Sequence, residues 1–336
     1  MSKRPASPES GEDHLIARYF RPLARHPGAF GLHDDAAALT PPPGCDLVLT
    51  TDGVIAGVHV FPDDPADAIA RRALRVNISD LAAKGAKPAG FLLSLALPAN
   101  TDEEWLAAFA AGLGADADRY DCPLLGGDTD RTPGPLSVSI AAFGTLPTGT
   151  MVHRSGACPG DVLTVTGTIG DAALGLDILK GGAAATALAD DVAAKEMLVG
   201  RYRVPQPRNV LAKAVSDHAH AAMDVSDGLA GDLAKLCAAS GVSAVIDARS
   251  IPLSAAAAAL LARGTVGIEA LVAGGDDYEI LCTVPEAAFE AFAQAAGLAG
   301  VAVTSIGTVI AGTSPPRFLD GQGRDIALLR LSYSHF

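Results

Sequence analysis

The stretch "MDVSDGLAGDLAKL", residues 223–236, sets an acid on each side of a serine, then a glycine, then an apolar-periodic run. "VNISDLAAKGAKP", residues 76–88, repeats the pattern with Ser79 and Asp80 followed by Leu-Ala-Ala. Ser and Asp are favoured helix N-caps, because their oxygens accept hydrogen bonds from first-turn N–H groups that have no partner inside the helix. Each pair alone therefore reads as strand end, cap and helix start, with a short new helix expected after Ser79. Strand followed by helix, twice, is the grammar of an α/β fold, and the echo hints at an internal duplication. What the chain does then depends on how many further acids gather at similar strand ends.

Composition narrows the classes. A chain of 336 residues, 49% of them hydrophobic with 36 glycines, is long enough for two α/β domains with real cores. A formal net charge of −13 with no Lys/Arg run argues against a nucleic-acid surface. An acidic protein that handles phosphates needs cations to bridge the two negative partners. The five cysteines (Cys45, Cys122, Cys158, Cys237, Cys282) stand far apart with no C-x-x-C pair, which points away from a zinc site or a disulfide framework. The opening "MSKRPASPESGEDH" has no apolar core and no segment has the length of a membrane span, so the expectation is a cytoplasmic protein without membrane contact.

Residues 1–11 read as a disordered tail, and a short helix is expected from Leu15 to about Leu23. "DLVLTTDGVIAGVHV" (46–60) reads as a strand broken at Asp52-Gly53. Thr101 and Glu104 stand in capping-box spacing before a helix. "PTGTMVHRSGACPGD" (147–161) carries Pro and Gly without periodicity and is the best linker, dividing an N-terminal domain (12–147) from a C-terminal one (148–336). "KGGAAATALADD" reads as an exposed insertion, and His218 and His220 as a solvated helix edge.

The acids come in five groups: Asp34 and Asp35 in "HDDAAAL", Asp52 after Thr50 and Thr51, Asp80 in "NISD", Asp128 in "LLGGDTDR", and Asp224 with Asp227 in "MDVSDG". Each sits at the end of an apolar segment, where α/β folds build ligand crevices. Singly each is an ordinary turn; together, with hydroxyl neighbours, they fit Mg²⁺, which takes a few carboxylates plus phosphate oxygens and water. No G-x-x-x-x-G-K-[ST], no G-x-G-x-x-G opening a helix after a strand, no H-E-x-x-H and no G-x-S-x-G elbow is present, so nucleotide binding here would proceed without a P-loop.

"DDAAAL", "TTDGVIAGVHV", "VNISDLAAKGAKP", "LLGGDTDR", "RSGACPGD", "DVSDGL" and "GGDDYEIL" occur in that order. They resemble the thiamine-monophosphate kinase family of the aminoimidazole-ribonucleotide-synthetase-like superfamily, over essentially the whole chain from about Leu15. The resemblance implies two α/β domains, with N-terminal sheets of two subunits packed into a homodimer and ATP held near that interface. It also implies ATP-dependent phosphorylation of thiamine monophosphate with several Mg²⁺ ions. Carried over by motif, Asp35, Thr50, Thr51, Asp52, Asp80, Asp128, Asp224 and Asp227 are metal ligands, the two Ser-Asp pairs aiming carboxylates at one cluster. Tyr120, Gly127, Asp128, Arg154 and Ser226 would face ATP, and His59 and Asp276 the thiamine substrate.

Three positions depart from the family pattern: His33 replaces a glycine before the Asp-Asp pair, Asp276 a glutamate, and Arg330 a substrate-stacking aromatic residue. Other ATP enzymes of the superfamily, of the selenophosphate or aminoimidazole-ribonucleotide synthetase type, and a non-catalytic nucleotide-binding dimer remain as alternatives.

Overall fold

The computed structural model describes residues 11–332, so all but the last residue of the tail expected at 1–11 and the end of "SYSHF" lie outside the described residues. The chain divides into two compact units that interleave in sequence: one runs up to Pro43 and includes Leu49–Asn77 and Pro88–Gly144. The other comprises Gly44–Val48, Ile78–Lys87 and the chain from Thr145 onward.

In chain order the elements around the first unit are α1 (Gly11–Leu15), β1 (Cys45–Ile55), α2 (Ala66–Ala83), β2 (Lys87–Pro98), α3 (Glu103–Arg119), β3 (Leu124–Thr132) and β4 (Ser137–Pro147). The helix expected from Leu15 exists, but as a π turn over Ile16–Phe20 and a 3₁₀ turn over Arg21–Leu23. The four strands lie in the order β1-β4-β2-β3, with β2 and β3 parallel. Ile69, Ala70, Ala73 and Leu74 of α2, and Leu106, Phe109 and Leu113 of α3, are buried at helical spacing. Between the two helices the buried Arg75 grips Asp116 bidentately, at 2.5 and 2.9 Å.

Three expectations need correction here. β1 passes unbroken through Asp52-Gly53, because pairing with β4 holds a turn-prone pair extended. The cap of α3 is Asp102, whose carboxylate accepts the Trp105 N–H at 2.8 Å, while the Thr101 hydroxyl turns back to the Pro98 carbonyl. No new helix starts after Ser79: α2 continues through Ser79 and Asp80 to Ala83. Asn77 and Ile78 are fully buried, and packing carries the helix past a sequence that local propensity would end.

The second unit holds β5 (Val162–Thr166), α4 (Asp171–Leu179), α5 (Ala183–Ala187), α6 (Val192–Arg203), α7 (Ala212–His218), β6 (Ala221–Asp224), α8 (Leu229–Ser240) and β7 (Ser243–Asp247). It continues with α9 (Ala255–Ala262), α10 (Ile268–Val272), β8 (Ile280–Val284), α11 (Glu286–Leu298), β9 (Val303–Ile310) and β10 (Arg317–Leu319). Its six strands run in the order β10-β7-β9-β5-β8-β6. Leu163, Met223, Leu233, Leu236, Ile246 and Ile306 join one buried core beneath that sheet. The stretch read as an exposed insertion is packed instead: Ala184 and Leu188 belong to a buried cluster with Leu198 and Leu260, and Asp191 caps α6.

Candidate active site

In the first unit, Thr50, Thr51 and Asp52 lie on β1, with Asp52 exposed. Side chains alternate along a strand, so Thr50 and Asp52 share a face and Thr51 points to the other. Asp128 stands exposed on β3, one carboxylate oxygen accepting the Thr129 N–H at 3.0 Å. β1 and β3 are the two edges of the sheet, so roughly 14 Å of strand spacing separates the two motifs within this unit. Asp35 is exposed in a bend, its N–H bound to the Asp34 carboxylate.

His59 follows β1, and its Nδ1 accepts the Ile55 N–H at 3.0 Å, which leaves the proton of the neutral ring on Nε2. Tyr120 is buried at the end of α3, with the Arg75 and Arg119 guanidinium groups over its ring at 5.5 and 5.4 Å. Gly127 has a packing reason to be glycine: a Cβ there would meet the Leu93 carbonyl oxygen at 1.9 Å.

The second unit joins several motifs. Ser79, in the last turns of α2, donates to the Asp224 carboxylate at the end of β6, at 2.7 Å, and both are buried. Lys84 donates to the Ala222 carbonyl at 2.6 Å. Burial pulls the Lys84 pKa below its ordinary value; Asp224 and Asp80 oppose that shift, and the Arg154 charge adds to it. Arg154 itself is exposed on the segment before β5.

Beyond Asp224 the chain turns at Ser226 and Asp227 before α8. The cap of this helix is Gly228, which offers no side chain, so the N-cap reading of the Ser-Asp pair fails here as well. The buried Asp232 substitutes: its carboxylate accepts the N–H groups of Ser226 and Asp227 at 3.0 and 2.9 Å. Lys235, one turn on, donates to Asp232 at 2.8 Å and also ion-pairs with Asp227. Desolvation raises the Asp232 pKa, whereas for Lys235 the hydrogen bonds to the two acids outweigh desolvation and raise it too.

"GGDDYE" lies along this turn. Asp276 N–H donates to the Ser226 carbonyl and Tyr278 N–H to the Val225 carbonyl, both at 2.8 Å. The approach requires Gly275, where a Cβ would sit 2.5 Å from the Ser226 carbonyl oxygen. Asp276 adopts a left-handed φ of 72° and stays half-buried, while its neighbours turn inward. Asp277, fully buried with its pKa pushed well up by desolvation, accepts the Gly170 and Ala172 N–H groups at the start of α4. Glu279, also fully buried, binds Arg201 at 2.8 Å, Thr166 at 2.7 Å and the Arg208 Nε at 2.6 Å. Arg330 is exposed, and its backbone N–H donates to Glu269 at 2.8 Å.

The structure thus brings Ser226, Asp227 and Asp276 together, and Ser79 with Asp224, within one unit. Sequence reasoning missed Lys84, Asp232 and Lys235. The i,i+3 spacing of Asp232 and Lys235 on an amphipathic helix was the available signal. Among the described residues, no three of the candidate carboxylates come within 4.8 Å of one another.

The family models agree with this architecture. The AIR synthase related protein N-terminal domain matches residues 33–146, and the corresponding C-terminal domain matches residues 158–317. The fold is that of an AIR synthase related protein. The thiamine-monophosphate kinase of Caulobacter vibrioides is 43% identical over 98% of this chain and 92% of its own length. That of Salmonella typhimurium is 41% identical over 97% and 98%.

The crystal structure of the Stenotrophomonas maltophilia K279a thiamine-monophosphate kinase superposes with a TM-score of 0.81 at 39% identity, over 94% of this chain and 96% of that one. AaThiL complexed with AMPPCP and TMP superposes at 0.75 and 28%, over 92% and 97%. This chain belongs to the thiamine-monophosphate kinase family and is a phosphotransferase.

Proposed function

We propose that the chain transfers the γ-phosphoryl group of ATP directly to the phosphate of thiamine monophosphate, giving thiamine diphosphate, as a cytoplasmic homodimer assisted by Mg²⁺. The observation that carries this reading is the pairing of the Ser226-Asp227 turn with the "GGDDYE" segment. It sets a nucleotide- and metal-type turn beside a half-buried carboxylate suited to a cationic thiazolium. The relative solved with AMPPCP and TMP supports the substrate pair.

The donor chemistry fits the metal. Asp35, Thr50, Asp52 and Asp128 in the first unit, and Asp80, Asp224 and Asp227 in the second, offer oxygen ligands alone, the set a hard cation prefers. The Thr51 side chain faces the other side of β1 from Thr50 and Asp52. Mg²⁺ keeps waters and takes phosphate oxygens as ligands, so it needs only a few protein carboxylates. Bound there, Mg²⁺ would screen the repulsion between two anionic substrates and stabilise the departing diphosphate.

The residues themselves orient and balance charge. Arg154 supplies a fixed positive charge for nucleotide phosphates. Tyr120, Gly127 and Ser226 line the nucleotide, and His59 and Asp276 face the thiamine moiety. The acceptor phosphate is largely ionised near neutral pH, so no strong base and no covalent intermediate are needed. For the dimer, the support is β1, an edge strand with Leu49 63% exposed and followed by Val58 50% exposed. A coupled assay should show Mg²⁺-dependent ATP consumption only with thiamine monophosphate, and thiamine diphosphate as product. ATP turnover indifferent to this acceptor would overturn the assignment.

A further inference from the structure

The turn before β5 holds a second constellation of ligand-type side chains that the kinase chemistry does not use. In "CPGD", Asp161 N–H donates to the Cys158 carbonyl at 3.0 Å and its carboxylate accepts the Cys158 N–H at 2.9 Å. This reciprocal pair closes the turn, leaves the Cys158 thiol exposed and buries the carboxylate.

His220 enters from the bend just before β6, its N–H fixed to the Thr283 carbonyl at 2.9 Å and its Nδ1 3.0 Å from both Asp161 oxygens. The two segments close tightly at Gly156, whose φ is 119°. A Cβ there would meet the His220 carbonyl oxygen at 2.7 Å. One donor atom from each of Cys158, Asp161 and His220 lies within 4.8 Å of the others. Burial pushes the thiols of Cys122 and Cys282 up to about 12 and that of Cys237 up to about 11, so those three are inert.

We propose that Cys158, Asp161 and His220 form a binding site for a borderline-soft divalent cation, Zn²⁺ by its chemistry, with the fourth position open to water. Thiolate, imidazole and carboxylate together are a zinc ligand set, and the first two are poor ligands for Mg²⁺. Tetrahedral zinc with one thiolate needs ligand–ligand separations of roughly 3.3–3.6 Å, so spacings within 4.8 Å have to close by at most about 1.5 Å. The Cys158 N–H already orients Asp161, the kind of outer hydrogen bond that fixes a metal-bound carboxylate.

An ion here would tie the segment carrying Arg154, four residues before Cys158, to the strand that ends in Asp224. The absence of any C-x-x-C pair concealed this set, because its members come from positions 158, 161 and 220.

The test is to strip the reduced full-length protein with chelator and titrate it with Co²⁺, then Zn²⁺, in excess Mg²⁺. A thiolate-to-cobalt charge-transfer band should appear, saturate at one equivalent and be abolished by zinc. Cys158→Ser should remove the band and weaken zinc binding at least ~10-fold, with an unchanged melting curve for the stripped protein; His220→Ala should weaken binding similarly. No thiolate band, or undiminished zinc affinity in Cys158→Ser, would overturn the proposal. Kinase activity does not enter the readout.

Discussion

Residues 78–80, Ile-Ser-Asp, and 225–227, Val-Ser-Asp, share two letters in three and two different backbones. The first triplet lies inside helix α2, where Ser79 is buried and its hydroxyl reaches Asp224. The second is an open turn whose Ser226 and Asp227 N–H groups go to Asp232, whose Val225 N–H goes to the Glu279 carbonyl, and whose Asp227 is held by Lys235. In the helix, the backbone is satisfied by the helix itself and only the side chains are available for other work. In the turn, the backbone depends on an acid borrowed from the next helix. The same pair can thus deliver a carboxylate from a rigid support or from a braced loop, and the two copies meet at Asp224.

The largest test sets the shared acceptor against the helix copy. Asp224→Asn keeps an oxygen for the Ser79 hydroxyl but removes the charge, so activity should fall by at least ~100-fold, roughly 3 kcal/mol of barrier, with folding retained. Asp80→Asn, on the half-buried helix copy, should cost nearer ~10-fold and be relieved by raised Mg²⁺. Steady-state rates across an Mg²⁺ titration check both. Equal losses would show that the two carboxylates are equivalent ligands and would erase the distinction.

A second test separates backbone support from side-chain support. Asp232→Ala strands two N–H groups and one partner of Lys235, which should destabilise the second unit by about 3 kcal/mol. Ser79→Ala removes one hydrogen bond to a carboxylate from an otherwise intact helix and should cost about 1–2 kcal/mol. Denaturant melts resolve that difference. Matching values would mean that the turn does not rely on its borrowed acid.

The acids stand out in the sequence because carboxylates with hydroxyl neighbours follow apolar segments repeatedly. Yet of these only Asp224 closes a strand, while Asp52 and Asp128 lie inside β1 and β3 and Asp80 inside α2. Their supports were not legible. Ser-Asp announces a cap by local chemistry, and burial of Asn77 and Ile78 overrides it. Asp52-Gly53 announces a turn, and pairing with β4 overrides that. Glu279 sits three residues past Asp276 with nothing in "DDYE" to say that it faces inward toward Arg201 and Arg208. His220 lies 62 positions from Cys158, a separation no spacing rule covers. Sequence shows which atoms are chemically able; only the tertiary path decides which are committed to the scaffold.

The smallest effect concerns the lysine that accompanies each copy. Lys84 follows Asp80 by one helical turn, and burial lowers its pKa from the ordinary 10.5; Lys235 serves Asp227 and Asp232, which raise its own. The signs of the linkage are opposite. A charged Lys84 costs stability below its folded pKa, and that cost fades as pH rises toward 10.5. A charged Lys235 contributes stability that is complete below 10.5 and is lost as pH climbs through its higher folded value. Lys235→Met should therefore melt lower than wild type at about pH 8, with the gap closing above pH 10.5. Solvent screening of this partly exposed pair keeps the gap below ~1 kcal/mol. Lys84→Met should show the reverse trend, equal to or above wild type at about pH 8 with any advantage shrinking as pH rises. Melting curves collected from about pH 8 to 11 on both variants check the pair. Parallel pH profiles for the two would show that the helix copy and the turn copy hold their lysines alike.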